Sequence, residues 1–278
     1  MANITAAEVN KLRQITGAGM MDCKAALIES DGDTEKAIEI LRKKGQKIAA
    51  KRADREATEG IIYAKTNDTN DFGALIIVNS ETDFVAKSDD FINYAKAVID
   101  LAVAKKPATI EELNALNLNG RTVAENLMDL VGKIGEKLEL SGYYTVRAEL
   151  VSGYNHLGNK LATLGGINKK GIAGIEEAAH NVAMQIAAMN PVAIDKDDVD
   201  KATIEKEIEI GMDQARNEGK PENMLEKIAI GKLNKFYQEN TLLNQEYVKD
   251  NTKSIRQYLQ SFDKDLTVIT FRRQKLGV

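Results

Sequence analysis

Catalysis needs a nucleophile within reach of a base, a set of metal ligands, or a cradle for a cofactor, and the residues that could supply these are few and scattered in this chain. The two histidines, His156 and His180, fall in separate elements without HExxH-like spacing, so they compose no metal site and His180 reads as a helix residue. Gly132-Lys133, Gly219-Lys220 and Gly231-Lys232 lack the earlier Gly and the following Ser or Thr of a P-loop, and read as turn or helix residues. Cys23 is the single cysteine, which excludes an intrachain disulfide and any CxxC motif and fits a reducing cytoplasm; it reads as a small core residue. The expectation is a protein that is not an enzyme and holds no catalytic residue, cofactor or metal.

One segment has another kind of specialisation. Val78-Asn79-Ser80-Glu81-Thr82-Asp83-Phe84-Val85-Ala86-Lys87 joins an apolar run to a helix start, and Phe84 stands out in it. Periodicity alone favours a ring tucked into the core, with Thr82 and Asp83 satisfying turn amides. The alternative presents Phe84 on a rigid loop as a wedge for a partner.

The elements around this segment point to an α+β chain. Thr5 with Glu8 forms a capping-box pair ahead of Val9 and Leu12; Gly17-Ala18-Gly19 ends that helix. Met20, Met21, Cys23, Ala26 and Leu27 populate a second helix, and Asp33 caps a third that carries Ala37, Ile38 and Leu41. Residues 42–55 hold seven bases and one acid, Asp54, and read as a boundary linker: either an RNA- or ribosome-binding arm or a solvated helix tail, the latter being expected.

From Gly60 the pattern changes. Phe72-Gly73-Ala74-Leu75-Ile76-Ile77-Val78 reads as a buried strand, and Ser88-Asp89-Asp90 starts a helix that runs to Pro107. Residues 161–167 repeat the strand and residues 175–190 the helix, up to Pro191; placing Pro107 on Pro191 implies two related α+β subdomains. Tyr144, Val146 and Ala148 alternate with polar residues as a half-buried strand does. Ile204, Ile208, Met212 and Ala215, then Leu225, Ala229, Leu233 and Phe236, predict an antiparallel helical hairpin turned at Gly219-Lys220-Pro221. A last strand spans residues 266–272, and residues 273–278 read as a frayed tail. The expected organisation is a helical bundle with basic linker over 1–54, a first subdomain over 55–143, and a second over 144–278 with the hairpin at about 195–237.

The 278 residues include 38 basic and 42 acidic ones for a net charge of −4, no Trp and 5% aromatics. This is poor material for gripping nucleic acid or stacking bases, and a protein partner fits better. Apolar stretches are broken well before the roughly 20 residues that span a bilayer, and MANITAAEVN has no signal core, so a cytoplasmic, non-membrane protein is expected.

Thr82-Asp83-Phe84-Val85 within residues 79–87 matches the central signature of the elongation factor Ts family, which this chain resembles. Leu12-Arg13 followed by Thr16-Gly17-Ala18-Gly19-Met20-Met21-Asp22-Cys23-Lys24-Ala25-Ala26-Leu27 resembles that family's N-terminal motif, in a domain similar to ubiquitin-associated bundles. Tyr154-Asn155-His156 and residues 231–248 are similar to its second subdomain. The resemblance implies a guanine-nucleotide exchange factor for elongation factor Tu, bound in its GDP and nucleotide-free forms. It implies that Leu12, Met20 and Met21 make the bundle's apolar contact, that Thr82, Asp83, Phe84 and Val85 enter beside the partner's magnesium site, and that His156 lies on the second subdomain's interface. Ser80 stands where many relatives have Cys, and Gln185 where some have a helical His, which suggests a structural role. Self-association stays open, as does the rival of an adaptor that uses the bundle without promoting exchange.

Overall fold

The computed structural model describes residues 4–277, so residues 1–3 and Val278, where the N-terminal and tail readings begin and end, lie outside the described residues. Helices α1 (Ala6–Thr16), α2 (Met20–Glu29) and α3 (Thr34–Lys51) open the chain. Thr5 and Glu8 cap α1 reciprocally, and Asp33 accepts the N–H groups of Glu35 and Lys36 at the start of α3. Val9, Leu12, Cys23, Ala26, Leu27 and Ala37 bury one another in the bundle. Leu12 is therefore a correction. At 1% exposure it faces inward beside Val9, three residues earlier on the same stripe, and it has no surface to offer a partner.

The chain then forms β1 (Glu59–Thr66), β2 (Phe72–Ser80), the single turn α4 (Asp83–Ala86), α5 (Asp89–Lys105), α6 (Ile110–Ala115), the short ladder of β3 (Asn117–Leu118) with β4 (Arg121–Thr122), α7 (Val123–Ile134) and β5 (Leu138–Arg147). The sheet order β1-β2-β5 is antiparallel throughout. Central β2 is buried on both faces: Ala74, Ile76 and Val78 pack with α5 and α7, while Leu75 packs with Val151 and Leu164 of the following sheet. Its apolar run is continuous for that reason. Because β5 pairs with β2 from Phe72↔Arg147 to Ser80↔Leu138, Tyr144 and Val146 belong to the first sheet, and a boundary at 144 cuts through this strand.

Next come β6 (Leu150–Asn155), β7 (Leu161–Ile167), α8 (Ile175–Met189), α9 (Lys201–Asn217), α10 (Leu225–Asn240), β8 (Glu246–Tyr247), β9 (Asp250–Ser254), α11 (Ile255–Gln260) and β10 (Val268–Lys275). The second sheet, β6-β7-β10, has the connectivity of the first: edge strand, central strand, helix, then a closing strand after an insertion. Helices α5 and α8 end at Lys105 and Met189, an offset of 84 residues (189 − 105). Strand β10 pairs as far as Lys275↔Leu161, so residues 273–275 are ladder and not a frayed tail. Helices α9 and α10 fold back on each other, with Gly211 and Ala215 buried against Leu225, Ala229 and Leu233.

Ile62, Ala64, Leu75, Val146, Val151, Ala162 and Leu164 fill the space between the two sheets, and helices cover the outer faces. At the join, Asn155 accepts the Ala64 N–H (2.8 Å) and donates to its carbonyl (2.9 Å). The bundle is seated on the first layer through α3. Residues 42–51 are the helical tail expected, with the bases exposed, but one face of it is packed: Gly45 lies against Gly132 of α7, while Ile48 and Ala49 pack onto the core.

Candidate functional site

Strand β2 ends at Ser80, opposite Leu138. Past that pair two carboxylates stand in for ladder carbonyls. Glu81 Oε1 accepts the Lys137 N–H (2.6 Å), and Glu136 Oε2 accepts the Thr82 N–H (3.1 Å) while its Oε1 takes the Thr82 hydroxyl (2.8 Å). Glu81 is also gripped by Arg52, which donates to both oxygens (2.7 and 2.9 Å), and by Arg55 (3.1 Å). Burial works against charge on Glu81, but the Lys137 N–H and the two guanidiniums outweigh it and hold its carboxyl down at about 2.

Thr82 then caps α4, its hydroxyl accepting the Val85 N–H (3.4 Å). The Ser80 hydroxyl donates to the Thr82 carbonyl (2.9 Å) and the Ser88 hydroxyl to that of Val85 (2.8 Å). Asp83 pairs with Lys87 (2.7 Å), whose hydrogen bond lowers the Asp83 pKa. Val85 is half-buried against the sheet core and Ala86 is buried. Because successive helical residues are roughly 100° apart, Phe84 is left pointing away from that core.

The Phe84 ring is 83% exposed, so the reading that tucked it into the core is overturned. A single exposed apolar ring is ordinary on a protein surface. Here, however, the backbone beneath it is pinned on both sides, so the ring is presented and not merely left over.

The other predicted residues lie elsewhere. Met20 and Met21 open α2 at 49% and 74% exposure. His156 follows β6, shares a hydrogen bond with the Tyr154 hydroxyl (3.0 Å), and rims a shallow apolar pocket with Leu161, Met184 and Val248. The β6–β7 turn sits at the same end of β1 as the Phe84 turn: Lys160 pairs with Glu59 (2.7 Å) and the Asn159 carbonyl accepts the Ile62 N–H (2.7 Å), while Glu59 lies opposite Ser80. The first and second layers thus bring His156 and Thr82–Val85 to one edge, with the methionines on the separate bundle. Among the described residues no group of three or more His, Cys, Asp or Glu could hold a metal ion, and no helix is long and apolar enough to cross a membrane.

A family model described as Elongation factor TS matches residues 81–278, from Glu81 of this clamp onward. The chain belongs to the elongation factor Ts family. It is 57% identical over 278 residues to Elongation factor Ts of Cytophaga hutchinsonii and 53% identical over 277 residues to that of Christiangramia forsetii, with 100% of each chain covered in both cases. Elongation factor Ts of Amoebophilus asiaticus is 54% identical over 274 residues, covering 99% of each chain. These relatives also span the bundle, which the family model leaves out. The elongation factor Ts family is one of translation elongation factors, so this chain works in protein biosynthesis.

Ser80 and Gln185 each have a physical role in the fold. Ser80 is fully buried and serves the turn through its hydroxyl. Gln185, also fully buried, accepts the Val248 N–H (2.9 Å) and donates to the Glu246 carbonyl (3.0 Å), tying α8 to the β8–β9 ladder. Glu81, Glu136, Arg52 and Arg55 were not singled out by the sequence. The available signal was an acid directly before Thr82 and a basic run with no assigned target.

Proposed function

We propose that this chain binds GDP-loaded elongation factor Tu in the cytoplasm and promotes release of GDP by disturbing the magnesium and phosphate site, so that GTP can rebind. Family membership supports the partner; the exposed Phe84 ring on a pinned turn is the observation that carries the mechanism. A factor that binds the nucleotide-free partner better than the GDP-bound partner weakens GDP by the same coupling free energy, so no catalytic residue is required. Magnesium is the natural point of attack, because the cation offsets the charge of the phosphates that it bridges.

In this reading Phe84 is the wedge, Thr82 and Asp83 shape its turn, and Val85 anchors it to the core. Met20 and Met21 supply an adaptable apolar contact from the bundle, and His156 contacts the partner from the second layer. Exchange runs in both directions, and cellular GTP excess sets its net course.

The test is release of labelled GDP from elongation factor Tu with saturating wild-type chain or Phe84→Ala. Truncating a buried interfacial aromatic typically costs about 2 kcal/mol or more, which predicts release at least roughly tenfold slower. A folded Phe84→Ala chain that releases GDP at the wild-type rate would rule out the wedge.

A further inference from the structure

We propose that Glu81 is a positioning residue for Phe84, and that Arg52 transmits the seating of the N-terminal bundle to the Phe84 turn through it. This rests on the reading of Phe84 as the wedge. Two segments distant in sequence meet on the Glu81 carboxylate: Arg52 at the end of α3 with Arg55 just beyond it, and the Lys137 N–H between α7 and β5. The Glu81 side chain is 12% exposed and that of Arg52 28%, so this pair is sheltered from solvent in a way the surface ion pairs of the chain are not. Charge-assisted bonds of this kind are roughly twice as strong as neutral ones, and a sheltered carboxylate that loses its partner is left with an uncompensated charge.

The connection runs on in both directions. The Lys137 ammonium donates to the carbonyls of Ala53 and Arg55 (2.8 and 3.0 Å), and Glu136 holds Thr82. Residues 52–55, 81–82 and 136–137 are therefore one hydrogen-bonded unit. Phe84 is two residues from it on one side. On the other, α3 is fixed to α7 where Gly45 meets Gly132, and it leads back to the bundle that carries Met20 and Met21. A movement of the bundle on docking reaches the turn through paired charges and helix backbone, with no slack loop between.

The test measures GDP release at saturating factor, together with complex affinity, for Glu81→Ala, Arg52→Ala, Arg52→Lys, Phe84→Ala and the Glu81/Phe84 double variant. Loss of the sheltered carboxylate should lower the saturating release rate about five- to tenfold with less than about a twofold change in affinity. In the Phe84→Ala background it should add less than about twofold, because it acts through the ring. Arg52→Lys should recover part of the rate that Arg52→Ala loses. Effects that multiply fully in the double variant, or weakened affinity at an unchanged saturating rate, overturn the proposal. A partner-free measurement stands beside it: Arg52→Ala, which leaves Glu81 bonded to Arg55 and Lys137 if Glu81→Ala fails to fold, should speed amide exchange over residues 82–87 by about tenfold and leave α5 unchanged. Uniform acceleration, or none, overturns it as well. Wild-type release by Phe84→Ala defeats the wedge reading and the positioning role with it, whereas a Phe84 effect with silent Glu81 and Arg52 defeats the positioning role alone.

Discussion

Gly45 of α3 and Gly132 of α7 meet backbone to backbone: a Cβ on Gly132 would stand 3.0 Å from the Gly45 Cα, and a Cβ on Gly45 would stand 3.1 Å from the Met128 carbonyl oxygen. Neither obstacle is a flexible side chain. The contact lets two helices approach closely enough for Ile48 and Ala49 to reach the sheet core, and so fixes where the bundle sits.

Gly45→Val should force α3 off α7. Overpacking of this kind costs about 1–3 kcal/mol, and because the bundle has its own core, the loss should appear as separate early melting of residues 4–41. Limited proteolysis near residues 42–55 and a two-step urea curve would register it; a single transition at the wild-type midpoint would count against the close contact as the seat of the bundle.

Gly60 has a different role. Its φ of +145° lies where L side chains are strained, and an added Cβ would fall 2.1 Å from the Val78 carbonyl oxygen inside the β1–β2 ladder. Gly60→Ala should destabilise the first layer by roughly 2–4 kcal/mol, at the upper end of point substitutions. The check is the urea midpoint, and a loss under about 0.5 kcal/mol would contradict the strained geometry.

Glu81 makes the clamp sensitive to acid. Its pKa falls from an ordinary 4.5 to about 2 on folding, so the folded state favours the charged form, and the stability this brings is present above pH 4.5 and lost as pH falls toward 2. The cations facing it are Arg52 and Arg55, and Glu136 bonds Thr82 on the other side of the turn. Glu81→Gln should lower stability at pH 7 by about 1–3 kcal/mol and flatten the dependence between pH 4.5 and 2 relative to wild type. Parallel wild-type and variant curves across that range would contradict the assignment.

Local spacing made some of this architecture legible and left the rest hidden. The α9–α10 hairpin could be read because Ile204, Ile208, Met212 and Ala215 mark one face within a single helix, and the buried strand β2 because both its faces are apolar. The direction of Phe84 could not, since a four-residue helix offers one turn and no repeat from which to read a face. Glu81 and Lys137 are 56 residues apart, a pairing that strand register creates and composition does not reveal. The basic run reads as a helix tail from its charges, but the packed face of that helix is not visible in them. Leu41, Gly45, Ile48 and Ala49 recur at three and four, as a packed helix requires.

The hairpin should be separable. Its buried residues Gly211, Ala215, Leu225, Ala229 and Leu233 face one another, and its base is closed by backbone bonds from Leu242 and Leu243 to Ala193 and Ile194 (2.9 Å each) that lie outside it. Replacing residues 200–239 with a short Gly/Ser linker adds little closure entropy, since each doubling of loop length costs only about 0.6 kcal/mol. The shortened chain should melt cooperatively with its circular dichroism reduced by the missing helices; loss of a cooperative transition would place the hairpin in the core.

The bundle offers a contrast between two kinds of apolar residue on neighbouring helices. Leu12 is enclosed by Val9, Cys23 and Leu27, so Leu12→Ser removes core packing and buries a hydroxyl in its place, a change that should cost about 2–5 kcal/mol and unfold the bundle. Met20 and Met21 are exposed and outside the bundle's core, and replacing both with Ser should move stability by no more than about 0.5 kcal/mol. If they form the bundle's contact with elongation factor Tu, the double variant should bind it about tenfold more weakly while its maximal GDP release stays near the wild-type rate at saturation, where the bundle is again docked and both Phe84 and the Glu81 clamp are intact. Titration calorimetry and labelled-GDP release on the same preparations separate the two quantities. Unchanged affinity in a folded Met20→Ser/Met21→Ser chain would remove these methionines from the interface, and a folded bundle in Leu12→Ser would contradict the buried position of that side chain.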